Sequence, residues 1–308
     1  MPPEVSVLIV NWNSHEETCR CVKSVASHLN HVSHEIIVVD NASSDGSVAA
    51  LEALKLPQLT VVLSTVNSGF VGGNNLAARH ATGRYWLLLN SDTVMLSGQV
   101  ASTLDYLDAH PEVAIAAGPL ETGGGERAHP GRGFPSLWMV FFVNVIRRIY
   151  AVETAAYRRH LCRHLPLDEI AEVDWLTGAY LFVRASLVDG EPLLDERIFM
   201  YYEDTLLCMR AKRRGHSVRY LPDAPVVQHL HGVSARKARA ATVRYCLNGS
   251  TVYVTERYGR AIAQAYRASV LGCWAVIGVA CGILALLGGG SKLRTKQRLL
   301  FEALAVGR

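Results

Sequence analysis

The sequence has no cysteine arrangement that would clip a fold together. Its seven cysteines (Cys19, Cys21, Cys162, Cys208, Cys246, Cys273, Cys281) are odd in number, scattered and mostly set in apolar helical patterns. Cys19 and Cys21 lie one residue apart with no second pair to complete a tetrahedral site, which argues against a structural zinc and for reduced, buried thiols. No basic segment and no small-residue cleavage site precede Val5-Ser6-Val7-Leu8-Ile9-Val10, so the chain is expected to open on a strand and not on a secretory signal. No internal repeat divides it. Acidic residues nearly vanish from the last quarter: residues 234–308 hold 2 Asp+Glu against 12 Lys+Arg, while residues 1–233 hold 25 against 19. Net charges of about +10 and about −6 follow, and so basic a tail favours an anionic partner, lipid or nucleic acid. What remains is a chain of 308 residues, half of them apolar, enough to bury one large core or two smaller fused ones.

Short β-branched runs alternate with helical patterns through the first third. Residues 5–10, 35–40, 60–64 and 85–90 read as strands, and Cys19, Val22, Val25 and Leu29 form the apolar stripe of a helix between the first two. Such alternation implies an α/β fold with a Rossmann-like, mainly parallel central sheet and helices on both faces. Ligands of these sheets sit beyond the carboxyl ends of the strands. Those ends carry Asn11-Trp12-Asn13, then Asp40-Asn41-Ala42-Ser43-Ser44-Asp45-Gly46, then Asn67-Ser68-Gly69, then Asn90-Ser91-Asp92, so four polar loops converge on one crevice. Further on, Gly123-Gly124-Gly125 and residues 129–135 read as a flexible connection, and residues 137–149 as a dense apolar stretch. Residues 180–183 read as a strand and 204–214 as a helix that Gly215 ends.

Taken singly, Asp40 would serve as a cap for the following turn and Asp45-Gly46 as turn chemistry. In their order along the chain, however, these strings resemble the family-two glycosyltransferases of GT-A fold. Val5 through Asn13 is similar to that family's opening strand and donor loop, which implies Val10, Asn11 and Asn13 as donor contacts. Ile37-Val38-Val39-Asp40-Asn41-Ala42-Ser43-Ser44-Asp45-Gly46-Ser47 resembles its second loop, whose first Asp contacts the nucleotide base, implying Asp40 and Asn41. Asn67-Ser68-Gly69-Phe70-Val71-Gly72-Gly73-Asn74-Asn75 is similar to the segment along the nucleoside, implying Asn67, Gly69, Phe70 and Asn74.

A sugar diphosphate gains negative charge on its leaving group as the glycosidic bond breaks, and a divalent cation bridging both phosphates stabilises that charge. The resemblance implies Mn2+ or Mg2+ held after the fourth strand by a DxD motif, which here reads Asn90-Ser91-Asp92. The first carboxylate is missing, as in the Asn-Pro-Asp form of the rhamnosyltransferase-like branch. Asp92 is then the anionic metal ligand, with Asn90 and Ser91 on the donor. His229-Leu230-His231-Gly232-Val233-Ser234 resembles the family's His-x-x-Gly-x-Ser element, implying His229 as a further ligand. In an extended segment His231 points the same way and stays the alternative. Phe199-Met200-Tyr201-Tyr202-Glu203-Asp204 resembles the Glu-Asp motif, implying Asp204 as general base of an inverting transfer and Glu203 as a partner of acceptor hydroxyls or an orienting residue. Two carboxylates there also suit a helix N-terminus. Asp174-Trp175-Leu176-Thr177-Gly178-Ala179 resembles the segment beneath donor sugar and acceptor, implying Trp175, Thr177 and Gly178, with His231, on the acceptor side. The Trp175 ring suits a sugar face or a core position. Arg210, Lys212, Arg213 and Arg214 read as a solvated basic face.

Residues 268–287 are uncharged and apolar, about the roughly 20 residues that a membrane span requires. Both flanks are basic, with Arg257, Arg260 and Arg267 before and Lys292, Arg294, Lys296 and Arg298 after. Cations on both sides favour a shallow or re-entrant helix on anionic lipid, ahead of a single pass. Gly278 and Gly282 form a small-xxx-small pair, from which a homodimer through this helix is expected. Leu137-Trp138-Met139-Val140-Phe141-Phe142 offers a second membrane contact. The cations flank an apolar stretch and not an aromatic groove, so nucleic acid is not expected as a partner.

The expected division is a nucleotide-sugar-binding half at 1–118, an acceptor-binding, catalytic half of the same domain at 119–233, and a basic, apolar helical membrane-associating region at 234–308. The expected reaction moves a sugar from a dTDP- or UDP-linked donor, L-rhamnose from a dTDP-sugar above all, to a lipid-linked or glycan acceptor. It belongs to cell-wall or surface-glycan synthesis on the cytoplasmic face of a bacterial inner membrane. Galactofuranosyl or N-acetylhexosaminyl transfer is the alternative. A nucleotidyltransferase would need a Gly-rich, cationic loop after the first strand, which Asn11-Trp12-Asn13-Ser14-His15 does not supply. A non-catalytic sugar-binding protein would not need Asp92, Asp204 and His229 together.

Overall fold

The computed structural model describes residues 2–97, 99–150, 152–188, 190–230, 239–287, 295–298, 300 and 302–303. The chain forms two compact units: residues 1–134, 158–199 and 203–234 make the first, and residues 135–157, 200–202 and 235–308 the second.

The first unit opens with alternating strands and helices: β1 (Val5–Asn11), α1 (His15–His28), β2 (His34–Asn41), α2 (Ser47–Glu52), β3 (Leu59–Ser64), α3 (Gly69–His80) and β4 (Tyr85–Asn90). The apolar runs of β1, β2 and β4 are almost entirely buried, as strands covered on both faces must be. Helix α1 buries Thr18, Cys21, Val22 and Val25, continued by Leu29. Cys21, and not the half-buried Cys19, therefore carries the stripe. All seven thiols are free, four of them buried and three half-buried. The unit continues through β5 (Thr93–Met95), α4 (Val100–Ala109), β6 (Val113–Ala117), β7 (Leu120–Thr122), β8 (Arg127–Ala128) and β9 (Gly131–Arg132). The triple glycine expected to be a flexible connection is instead the turn of the β7–β8 hairpin. Gly125 takes φ +81° there and its N–H donates to Thr122 O at 2.9 Å, a conformation glycine adopts without steric cost.

After the second unit's first segment, helix α5 (Leu137–Asn144) with α6 (Ile146–Tyr150), comes α7 (Ala155–His160), whose residues from Arg158 onward return to the first unit. Then follow β10 (Ala171–Glu172), β11 (Trp175–Leu176), β12 (Tyr180–Arg184), α8 (Glu203–Arg213), β13 (Ser217–Tyr220) and β14 (Val227–His229). The large sheet runs in the order β10-β13-β6-β12-β4-β1-β2-β3. Strands β1 to β4 are parallel where they pair, β13 is parallel to β6, and β12 runs antiparallel to both β4 and β6. The register sets Asn11 beside Asp40, Asn41 beside Ser64 and Asn90 beside Val10, so the polar strand ends share one edge. A small sheet runs in the order β5-β14-β7-β8, its first strand following β4 directly in the chain.

The second unit is completed by α9 (Arg239–Tyr258) and α10 (Arg260–Leu286). Helix α10 is long and apolar enough to cross a membrane, yet one stripe of it, Ala263, Tyr266, Val270, Trp274, Gly278, Cys281, Gly282 and Ala285, is buried inside the unit. Polar bonds lock that stripe in place: Trp274 Nε1 donates to Asn144 O at 3.0 Å, Asn144 Nδ2 to Tyr266 Oη at 3.1 Å, and Ser250 Oγ lies 2.9 Å from Tyr266 Oη. Gly278 and Gly282 both face inward, and a Cβ on Gly282 would press on the Gln297 side chain. The pair expected to face a second copy thus serves packing within the unit. The opposite face exposes Val276, Val279, Ile283 and Leu286.

Candidate active site at the carboxyl edge of the sheet

The loops after β1, β2 and β3 are knitted by amide and carboxylate side chains. Asn11, fully buried, donates from Nδ2 to Asp40 Oδ1 at 2.7 Å and to Ser43 Oγ at 3.0 Å, while its Oδ1 accepts from Thr18 Oγ1 at 2.6 Å and Ser14 Oγ at 3.1 Å. Asp40, also buried, accepts from Ser43 N through its other oxygen at 3.0 Å. Asn41 repeats the device one strand over: Nδ2 donates to Asn67 Oδ1 at 3.0 Å and Gly69 O at 2.9 Å, and Oδ1 accepts from Ser68 N at 3.0 Å. Asn74 caps Phe70 O at 2.9 Å, and Val10 is half-buried against Gly73. The geometry therefore gives Asn11, Asp40, Asn41 and Asn74 a scaffolding part in holding the loops to one another. On the rim lie Asn13, whose Oδ1 accepts from Ser44 N at 2.8 Å, the half-buried Phe70 and the exposed Asn67. Burial alone would raise the Asp45 carboxyl, but hydrogen bonds from Ser47 and His15 outweigh it and hold it down at about 2.

Gly69 is where two loops touch. It holds φ +76°, and a Cβ there would overlap the Phe199 carbonyl oxygen and ring. Gly69→Ala should therefore cost about 2–4 kcal/mol, from left-handed strain together with overpacking. Chemical denaturation reads this as a lowered midpoint, and an unchanged midpoint would contradict it.

Asn90, Ser91 and Asp92 turn the chain from β4 into β5. Strand β14 pairs antiparallel with β5, His229 opposite Thr93, and this register delivers His229 Nε2 to 3.1 Å from Asp92 Oδ1. A return bond from Leu230 N to Asp92 O at 2.9 Å fixes the pair. His231 lies outside the described residues. Asn90 Oδ1 is buried and has no hydrogen-bond partner among the described residues, an acceptor that protein interiors rarely leave unused. No group of three or more His, Cys, Asp or Glu gathers among the described residues. Asp92 and His229 nonetheless suit a divalent cation chemically, one hard oxygen and one imidazole nitrogen. Their spacing also fits, since adjacent octahedral ligands with bonds of roughly 2.1 Å stand about 3 Å apart.

The segment before β12 links this corner to the carboxylate of α8. Gly178 N donates to Asp204 Oδ2 at 2.9 Å, and the next residue, Ala179, accepts from Asn90 N at 3.0 Å. Thr205 holds the other Asp204 oxygen, through its N at 2.6 Å and its Oγ1 at 3.2 Å. A Cβ on Gly178 would lie 3.3 Å from Asp204 Cβ, tight enough to disturb that contact. Burial pushes the Asp204 carboxyl above its ordinary value, against the pull of these hydrogen bonds and of the nearby Arg132 charge. Glu203 is buried. Trp175 is half-buried, its Nε1 donating to Gly133 O at 3.0 Å and its ring 6.3 Å from that of His160. Thr177 N donates to Pro130 O at 3.2 Å.

Arg132 and His160 were not legible as site residues. Arg132 sits in the run read as a linker, and only its pairing with Trp175 in the β9–β11 ladder brings it to this corner. Thr205 and Ala179 act through position and backbone, which no residue pattern announces.

An α/β unit with this sheet and these loops has the GT-A-like fold. The mannosyltransferase PcManGT from Pyrobaculum calidifontis, solved in complex with GDP-Man and Mn2+, superposes with a TM-score of 0.55 over 99% of this chain and 87% of its own at 16% identity. The chain belongs to glycosyl transferase family 2, whose match covers residues 6–164. It is 28% identical over 208 residues to the N-acetylglucosaminyl-diphospho-decaprenol L-rhamnosyltransferase of Mycobacterium tuberculosis H37Rv, covering 63% of this chain and 66% of that protein. It is 26% identical over 243 residues to the rhamnosyltransferase WbbL of Escherichia coli K12, covering 74% and 84%. The chain thus spans just under two thirds of the mycobacterial relative's length. The family read from the motifs is the one these matches give.

Proposed function

We propose that the protein is an inverting hexosyltransferase that moves a sugar from a nucleotide diphosphate to a lipid-linked or glycan acceptor, with dTDP-L-rhamnose as the donor. One observation carries the reading: consecutive residues Gly178 and Ala179 bond to Asp204 on one side and to Asn90 on the other. A base and a diphosphate-binding loop are thereby held at fixed separation, as in-line displacement requires. The names of the mycobacterial and enterobacterial relatives favour rhamnose and a diphospho-lipid acceptor.

In this reading Asp92 and His229 hold a divalent cation, Mn2+ or Mg2+, which when bound stabilises charge on the departing nucleotide diphosphate. Asn90 offers its buried carbonyl oxygen, without a partner among the described residues, to the donor ribose. The rim residues Asn13, Asn67 and Phe70 line the nucleoside, on loops stiffened by Asn11, Asp40 and Asn41. Asp204 takes the proton of the acceptor hydroxyl as its oxygen attacks the anomeric carbon and the glycosyl–phosphate bond breaks. Gly178 and Thr205 keep the carboxylate aimed. Trp175 and Thr177 flank the acceptor. A panel of nucleotide sugars assayed for nucleotide diphosphate release, with and without EDTA, tests this. Release should be greatest with dTDP-rhamnose and should vanish in EDTA. A preference for UDP-galactofuranose or a UDP-N-acetylhexosamine would move the protein to another activity of the family, and no release from any donor would sink the transferase reading.

The second unit supplies the membrane contact. Because one stripe of α10 is locked inside the unit, the exposed row of Val276, Val279, Ile283 and Leu286 lies in the interface of the cytoplasmic leaflet, with the flanking cations on anionic headgroups. The paired substitution Val279→Glu and Ile283→Glu should weaken binding to phosphatidylglycerol vesicles roughly tenfold or more, with the circular dichroism spectrum unchanged. Undiminished vesicle binding would remove α10 from the membrane contact.

A further inference from the structure

The residues from Arg158 to His164 form a cationic turn that the proposed chemistry leaves without a task. Arg158, Arg159, His160, Arg163 and His164 fall within seven residues that contain no carboxylate, and all but His160 are exposed. The turn is built and not loose. Arg163 N donates to Arg158 O at 3.2 Å and Cys162 N to Arg159 O at 3.0 Å, with Cys162 at φ +52°.

This turn is docked on the Gly133–Trp175 contact that leads to the general base. Gly133 N donates to His160 O at 2.9 Å, and Gly133 O accepts from Trp175 Nε1 at 3.0 Å. Arg132 reaches beneath it, its Nη1 donating to His129 O and Gly131 O, each at 2.7 Å, and to Leu161 O at 3.4 Å. Three residues after Trp175, in the turn that follows β11, comes Gly178, whose N–H holds Asp204. Burial, and after it the Arg132 charge, pushes His129 down to about 4 and lowers His160 as well. Asp174, on the strand side of the turn, is engaged by Phe134 N at 2.7 Å and by Lys212, 3.8 Å away. Asp168 and Glu169 follow the turn on the exposed surface. The cations therefore stand on the Trp175–Gly178 side of the base, the acceptor's side, while Asp92 and His229 serve the donor's diphosphate.

We propose that the Arg158–His164 turn, with Arg132 beneath it, binds the diphosphate of a lipid-linked acceptor while the acceptor's sugar hydroxyl meets Asp204. This rests on the transferase reading above and names its acceptor class. Guanidinium groups suit the task because their planar donors match phosphate oxygens two at a time. A phosphate-free glycan would give the turn nothing to hold.

The test compares two acceptors with the same sugar: a short-chain prenyl diphosphate N-acetylglucosamine and octyl N-acetylglucosaminide, which has no phosphate. The enzymes are wild type, the double variant Arg158→Gln with Arg159→Gln, the matching double Lys variant, and Arg20→Gln, an exposed cation on α1, as a control. For the diphosphate acceptor the Gln pair should raise KM roughly 10- to 100-fold and leave kcat within about twofold, the Lys pair should restore part of the loss, and R20Q should match wild type. For the octyl glycoside all four should agree. Equal losses on both acceptors, or none on either, would overturn the proposal. So would a loss of anionic-vesicle binding with unchanged kinetics in detergent, which would assign the turn to headgroups. Turnover of the octyl glycoside by wild type upholds the transferase reading whatever the variants do, and turnover of neither acceptor overturns both.

Discussion

Asp204→Asn should lower kcat by roughly 10²- to 10⁴-fold, the contribution of a positioned general base, and leave donor affinity within about twofold. The substitution keeps the shape of the side chain. Its carbonyl oxygen can still accept from Gly178 N, which holds Asp204 Oδ2 at 2.9 Å. The amide would face Thr205 N, which now donates to Oδ1, and one donor–donor contact is the structural cost. What is lost is the ability to take a proton. A pH profile separates the two roles. Burial raises the Asp204 carboxyl above its ordinary 3.8, and the ionised form is the active one. The kcat/KM of wild type should therefore fall on the acid side through a limb that lies above pH 3.8, and Asp204→Glu should move that limb while Asp204→Asn should erase it. Loss of donor binding in the Asn variant, measured by calorimetry, would recast Asp204 as structural.

The parallel strands and the polar loops after them were legible because their signal is local. Buried parallel strands are near-continuous apolar runs, and these end at or within one residue of the polar positions Asn11, Asp40 and Asn90. The parts that depended on long-range pairing were not legible. The chemistry of Asn11 and Asp40 reads the same on paper whether the two face a nucleotide or each other, and only the β1–β2 register shows that they meet at 2.7 Å. The glycines at 123–125 have linker composition, but a hairpin turn has the same composition, and the pairing of Leu120 with Ala128 decides between them. Helix α10 looks like a span by length and hydropathy alone. Its sequence does not reveal that Trp274 and Tyr266 point inward to polar partners on Asn144 and Ser250, which turns one apolar cylinder into a buried stripe and an exposed one.

Asp92→Ala should reduce kcat/KM by roughly 10²- to 10³-fold, the scale of removing one stabiliser of charge that develops in the transition state. With a single carboxylate in the Asn90-Ser91-Asp92 turn, no neighbouring acid takes over. Asp92 Oδ1 is 3.1 Å from His229 Nε2, so His229→Ala should produce the same kind of defect on a smaller scale, since a neutral imidazole contributes less than an anion. The double variant should fall well short of the product of the two losses, because residues that share one partner do not act independently. Calorimetric titration with the donor distinguishes this from simple damage to the loop. Wild type should bind the nucleotide sugar far more tightly in Mn2+ than in EDTA, because two protein ligands alone hold a cation weakly and the donor's phosphates complete its shell. Asp92→Ala should bind with the same weak affinity in both conditions. Turnover by wild type that persists in EDTA, or an Asp92→Ala enzyme that still responds fully to Mn2+, would place the cation elsewhere or dispense with it. The Asp92–His229 contact would then be an ion pair that fastens β14 to β5.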